Sequence, residues 1–289
     1  MGIALTEFLA LVDQEFPPET ANEGDVTGLQ LQSGRQEVNA ILVCYEVTDA
    51  VIEEARQGGY DLIVAFHPLL FSPLRALTEA DRVGHLSTLL IQYGIALVVL
   101  HTRVDAHPEG TTARLAHALG LRVREPLLPD PRYAGYGMGS VVECDPPLEA
   151  RELIERVARY SGQPVRYVPG RPHAIRMVAL VGGSGASFLP QVLQRGLDAF
   201  ITGDVKYHAF LQAQHRLWLI DAGHAETERY VPEAMAELLR RCLSDSVPVK
   251  IARSWRAPIH WYWQGAPGLT AAAGLNEGPD LLPRAHRCD

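Results

Sequence analysis

Three apolar runs of strand length, each followed by a helical pattern, constrain this chain more than any other feature. They are "AILVCYEV" (40–47), "DLIVAF" (61–66) and "IALVVL" (95–100). A strand with one wet face alternates apolar and polar residues, whereas a continuous apolar run must be covered on both faces. Between the runs, "TDAVIEEARQGG" and "DRVGHLSTLLIQYG" carry apolar residues at helical spacing. The first has Thr48 as N-cap and glycines at its stop. "TTARLAHALG" continues the rhythm. A βαβα order of this kind predicts an α/β fold with largely parallel sheets covered by helices.

The second half repeats the scheme. "PLLPDPRYAGYG" (126–137) holds three prolines and two glycines and reads as a link between two lobes. Beyond it, "RMVALVGGSG", "DAFITGD" and "LWLIDAG" look like strand ends, separated by the helical stretches "SFLPQVLQRG" and "VKYHAFLQAQH". "ETERYVPEAMAELLRRCLSD" reads as one helix and "VPVKIARSW" as a final strand. The expected division is an N-terminal lobe over 1–125, a C-terminal lobe over 126–264 and a mobile tail over 265–289, where glycine and proline replace periodicity.

With 47% hydrophobic and 21% charged residues among 289, the chain has the make-up of an ordinary globular protein. A net charge of −8 argues against a broad nucleic-acid footprint. No apolar run approaches the roughly 20 residues of a membrane-spanning helix. Cys44, Cys144, Cys242 and Cys288 show no paired spacing, and the start lacks a basic segment before its apolar residues. Both point to a reduced, cytoplasmic protein without a disulfide framework or thiolate metal site.

Three strands each deliver a histidine at or just past their carboxyl end: His67, His101 and His224. In open α/β sheets that edge is where side chains from several strands converge on a ligand. Carboxylates follow at matching intervals. Asp105 lies four residues past His101, and Glu228 four past His224, a spacing that puts each pair on one face if a helix starts there. Imidazole mixed with carboxylate suits zinc, iron, manganese or nickel. Taken singly, each of these residues also has a bland reading, as a satisfied core histidine, a cap or a solvated first-turn acid. The loop "GGSG" places Gly183, Ser184 and Gly185 between a strand and a helix, where backbone N–H groups can meet an anion; a plain tight turn explains the same glycines. Its alanine after "GGSG" spoils the nucleophile-elbow pattern and makes a Ser184 hydrolase the lesser reading. Asp204, Lys206 and His208 stand after another strand, as acid/base supply or support for a site.

In order along the chain, "TGLQL", "DLIVAFHPLLF", "HTRVDAHPEG", "ALVGGSG", "ITGDVKYH" and "IDAGHAETE" resemble the NIF-three-like family of dinuclear metal-centre proteins, often labelled GTP cyclohydrolase I type 2 homologues. The resemblance implies a two-lobed fold with a metal cleft between the lobes and a ring-like homohexamer. It implies that His67, Asp105 and Glu228 bind one divalent ion and His224 another, with Glu228 bridging, and that His101 and His208 stand close by as catalytic supply. The family's usual histidine pair before the proline is here Phe66–His67, so the resemblance leaves the second ion only His224 and a share of Glu228. One or two ions per chain are therefore expected. The function so implied is metal-dependent hydrolysis of a nucleotide or related small molecule; the alternative is a non-catalytic metal-binding regulatory or interaction protein.

Overall fold

A computed structural model describes residues 2–260 apart from 172 and 245. The segment 265–289, expected as a tail, lies outside the described residues. The chain sorts into two compact units. The first comprises Met1–Arg114, Leu128–Met138 and Tyr230–Trp255; the body of the second is Leu115–Leu127 and Gly139–Arg229.

In the first unit, Val249–Ile251, Ile41–Cys44, Leu62–Ala65 and Ala96–Val99 lie side by side and parallel, with Gly28–Leu31 antiparallel at the end. Every residue of the three central strands is buried, as their unbroken apolar composition demands. Thr48 caps the helix Asp49–Gly58 by accepting from the Val51 amide at 3.3 Å, and Gly59 ends it at φ 70°. Asp81 caps Arg82–Gln92 in the same manner, through the Gly84 amide at 2.9 Å. These signals are local, and the structure follows them.

A boundary near residue 125 does not describe where the chain goes. The strand Val249–Ile251 pairs with Ile41–Cys44, and the helix Val231–Cys242 buries Val231, Ala234, Met235, Leu238 and Leu239 in the first unit. Burying five such side chains is worth about 1.5–3 kcal/mol for each of the larger ones, which rewards the return. The stretch read as a single helix from Glu226 is therefore two: a short turn His224–Thr227, then Val231–Cys242 with Pro232 in its first turn. Arg229 holds the end of the turn in the second unit, donating to the Ser161 carbonyl at 2.9 Å and standing over the Tyr160 ring.

The second unit has a six-stranded sheet in the order Arg122–Pro129, Gly137–Glu149, Ala174–Leu180, Ala199–Thr202, Trp218–Asp221, Arg166–Val168. Only its three middle strands form parallel pairs with one another; Gly137–Glu149 and Arg166–Val168 join antiparallel. This sheet is thus more mixed than the sequence pattern suggests. Its core runs through Val142, Leu153, Val157, Val178, Ile201 and Ile220. Both units keep the feature that matters for function: a set of parallel strands whose carboxyl ends line up.

Candidate functional site

At the first unit's carboxyl edge, backbone bonds bring three strand exits into register. The His67 amide donates to the Tyr45 carbonyl at 3.0 Å, and the His101 amide to the Phe66 carbonyl at 3.0 Å. The rings of these residues form one cluster. Tyr45 meets His67 edge-on with centroids 4.6 Å apart, and Phe66 lies 4.9 Å from His67 and 5.5 Å from His101. His67 and His101 are themselves 5.5 Å apart. Phe66 is 0% exposed and packed among rings.

His101 has φ 37°, an uncommon backbone for a residue with a Cβ, at the start of the turn Thr102–Ala106. Its neighbours hold it there. Its Nδ1 lies 2.7 Å from Asp25, whose carboxylate also accepts from the Val26 amide at 2.8 Å, the Thr102 amide at 3.3 Å and the Thr102 hydroxyl. Burial works against a charge on Asp25, but the hydrogen bonds from His101 and Thr102 hold its pKa down to about 2. Arg103, buried behind the turn, donates Nε to the Phe16 carbonyl at 2.6 Å and pairs with Asp13 at 2.6 Å. Asp105, one helical turn past His101, is half-buried and accepts from the Thr111 hydroxyl at 2.5 Å.

The second unit builds its edge from the exits of Ala174–Leu180, Ala199–Thr202 and Trp218–Asp221. His224 there sits between two carboxylates. Its Nδ1 is 2.6 Å from Asp204 and its Nε2 is 3.2 Å from Glu228. Burial would lower the imidazole's pKa, but Glu228 first and Asp204 second push it up to about 10. Glu228 is 4% exposed. The proton that the imidazole holds between this buried carboxylate and the acid behind it marks a place where a cation is favoured. The donor set fits a divalent ion: Nε2 and a Glu228 oxygen toward the ion, with Nδ1 kept on Asp204.

The "GGSG" loop lies against this pair. A Cβ on Gly183, whose φ is +58°, would stand 2.3 Å from Glu228 Oε1 and 3.1 Å from His224 Nε2. Glycine is required there by both backbone and space. The Gly183 amide donates to the Thr227 hydroxyl at 2.8 Å and the Gly185 amide to the Thr202 hydroxyl at 2.9 Å. Those two donors are therefore spent inside the unit, which corrects the idea that Gly183 and Gly185 cradle an anion. Ser184 is exposed, and its hydroxyl makes no hydrogen bond with any described residue, so the elbow reading has no geometry behind it. His208 is exposed at the start of the helix Tyr207–Ala213, its ring 5.6 Å from Tyr207, itself 70% exposed.

Thus His67 and His101 share the first unit's edge with Asp105 one turn beyond, while His224 and Glu228 meet on the second unit's edge, and His208 stands out in solvent. The sequence reading missed Asp25 and the two threonines, Thr202 and Thr227. Its only available signal for Asp25 was an acid just ahead of "TGLQ", a residue 76 positions from its imidazole.

Comparisons with known proteins bear on the whole arrangement. A family model described as Duf34/NIF3 (NGG1p interacting factor 3) matches residues 3–258. A Streptomyces coelicolor protein named GTP cyclohydrolase 1 type 2 homolog is 36% identical over 232 residues, 78% of this chain and 81% of its own length. A Nostoc protein of the same name is 36% identical over 218 residues, 74% of this chain and 82% of its own length. Among solved structures, the hypothetical protein SA1388 of Staphylococcus aureus superposes with a TM-score of 0.81 at 25% identity, covering 91% of this chain and 100% of that one. With its strand exits, glycine loop and imidazole–carboxylate couples in the order the family resemblance required, the chain belongs to the Duf34/NIF3 family.

Proposed function

We propose that this protein is a metal-dependent hydrolase acting on a nucleotide or a related small molecule. His224 and Glu228 grip its divalent ion, zinc, iron, manganese or nickel, and His67 and Asp105 are the further ligands that the family resemblance implies. The observation that carries this reading is His224 pinned between Asp204 and the buried Glu228, with Nε2 and a carboxylate oxygen 3.2 Å apart as a donor pair that suits a divalent cation. A bound ion supplies acidified water and polarises the bond to be broken. The chain's own residues do the rest. Asp204 fixes which nitrogen of His224 carries the proton, and Asp25 does the same for His101. His101 and His208 move protons, His101 from a held position and His208 from solvent. The names of the relatives support a nucleotide substrate.

A nucleotide-hydrolysis screen tests the proposal. Turnover should appear with one of the four metals and fall at least about a hundredfold in Glu228→Ala, the order expected when an essential ligand is lost. Turnover that ignores that substitution belongs to a contaminant and sinks the assignment.

Phe66 favours a second reading, a metal-binding protein without catalysis. Its buried ring offers no lone pair where the family resemblance implies an imidazole, which leaves a second ion with fewer ligands than a complete two-ion centre uses. A protein that retains metal but turns over nothing in the screen would be of this kind. A ring-like homohexamer and a cytoplasmic location accompany both readings; light scattering checks the first. No described helix is long and apolar enough to cross a membrane.

A further inference from the structure

The second unit has a cavity at the opposite end of its parallel strands from His224. It measures about 710 Å³, and its lining includes Arg171, Leu193, Leu197, Asp198, Arg216 and Leu217. Asp198 directly precedes the strand Ala199–Thr202, and Leu217 directly precedes Trp218–Asp221, so the cavity opens at the amino edge of the sheet. Four residues of strand, about 13 Å, separate that edge from the one bearing His224.

The lining has a definite chemistry. Neither the Arg171 nor the Arg216 guanidinium has a hydrogen bond or an ion pair among the described residues, although most arginines of this chain are paired. Both are exposed and both face one concavity. Asp198 does not neutralise them, because it is occupied elsewhere: one of its oxygens accepts from the Arg176 and Met177 amides at 2.8 and 2.9 Å. Its other oxygen remains to accept from a ligand. Leu193, Leu197 and Leu217 supply an apolar wall. Guanidinium pairs match phosphate oxygens, leucines accept a ring face, and a lone carboxylate oxygen selects an N–H donor.

We propose that this cavity binds a small organic phosphate of nucleotide size whose ring edge carries N–H groups. Arg171 and Arg216 take the phosphate, the three leucines cover the ring, and Asp198 accepts from its edge. The site is separate from the metal-bearing edge and does not depend on hydrolysis there. Its volume suits a nucleoside monophosphate and far exceeds what inorganic phosphate fills.

Titration calorimetry on the full chain, stripped of metal with chelator, tests this with GMP and with inorganic phosphate as probes. GMP should bind, at least tenfold more tightly than inorganic phosphate. Arg171→Gln and Arg216→Gln should each weaken it about tenfold or more while leaving the thermal midpoint without ligand unchanged. Asp198→Asn serves as a second handle, expected to weaken GMP and leave inorganic phosphate as it was. If GMP fails to bind at millimolar concentration, or binds equally well to both arginine variants, the site is wrong. If inorganic phosphate binds as tightly as GMP, the organic part of the ligand is wrong.

Discussion

His101 and His224 occupy the same place in their respective sheets, just past a parallel strand, and each gives its Nδ1 to an aspartate. Their surroundings then diverge. The side chain of Asp25 is 4% exposed and carries a full set of donors, so the first couple is internally satisfied. The side chain of Asp204 is 54% exposed, and across the ring from it stands the buried Glu228. The first couple is built to hold an imidazole still; the second sets its imidazole between two carboxylates, where a positive charge is favoured. Beside the first lies Phe66, beside the second a glycine loop that admits a carboxylate. Metal affinity should therefore depend strongly on the second unit and weakly on the first, apart from His67 and Asp105.

The strongest way to break this contrast is Glu228→Ala. Metal affinity, measured by chelator competition, should fall more than about a hundredfold, beyond the 10–100-fold usual for loss of a supporting partner. Gly183→Ala comes next. The new Cβ collides with Glu228 and adopts a backbone that costs about 1–3 kcal/mol, so affinity and melting temperature should drop together. Unchanged affinity in a folded Gly183→Ala protein would show that Glu228 is not held where the loop requires.

Asp204→Asn and Asp25→Asn sharpen the comparison. The first should cost metal affinity about 10–100-fold with little change in stability. The second should cost stability by about 1–3 kcal/mol, through the unpaired donors of His101 and Thr102, with a smaller effect on affinity. Equal effects on both observables would erase the proposed difference between the couples.

The smallest effects are in pH dependence, and their signs are opposite. Asp25 has a folded pKa of about 2, below its unfolded value of about 3.9. Its contribution is complete above about pH 4 and disappears as pH falls through 2. His224 in metal-free protein has a folded pKa of about 10, above its unfolded value of about 6.5. Its contribution is complete below about pH 6.5 and is lost as pH rises through 10. Denaturant melts of stripped protein should show both limbs, and Asp25→Asn and His224→Gln should each remove one. Metal uptake near pH 8 should release about one proton per ion from His224.

The strand exits and local caps were legible because their causes are local. An unbroken apolar run, Thr48 before its helix and Gly59 after it, and a four-residue interval from His224 to Glu228 each speak from a few adjacent positions. Asp25 did not, because it reaches its imidazole across 76 residues of chain, and Asp204 was legible as support for a site but not as the partner of His224, 20 residues away. The threonine hydroxyls that consume the Gly183 and Gly185 amides come from 44 and 17 positions away, and nothing in "GGSG" announces them. The return of Tyr230–Trp255 to the first unit was hidden for a related reason. A parallel strand is recognised by the neighbour it pairs with, and that neighbour is Ile41–Cys44.

Phe66→His joins both halves of the account in one experiment. The metal content per chain, determined by elemental mass spectrometry on protein purified without added metal, should be near one for the natural sequence and approach two for the variant. Two ions per chain in the natural protein, or no ion in either, would contradict a single grip centred on His224 and Glu228.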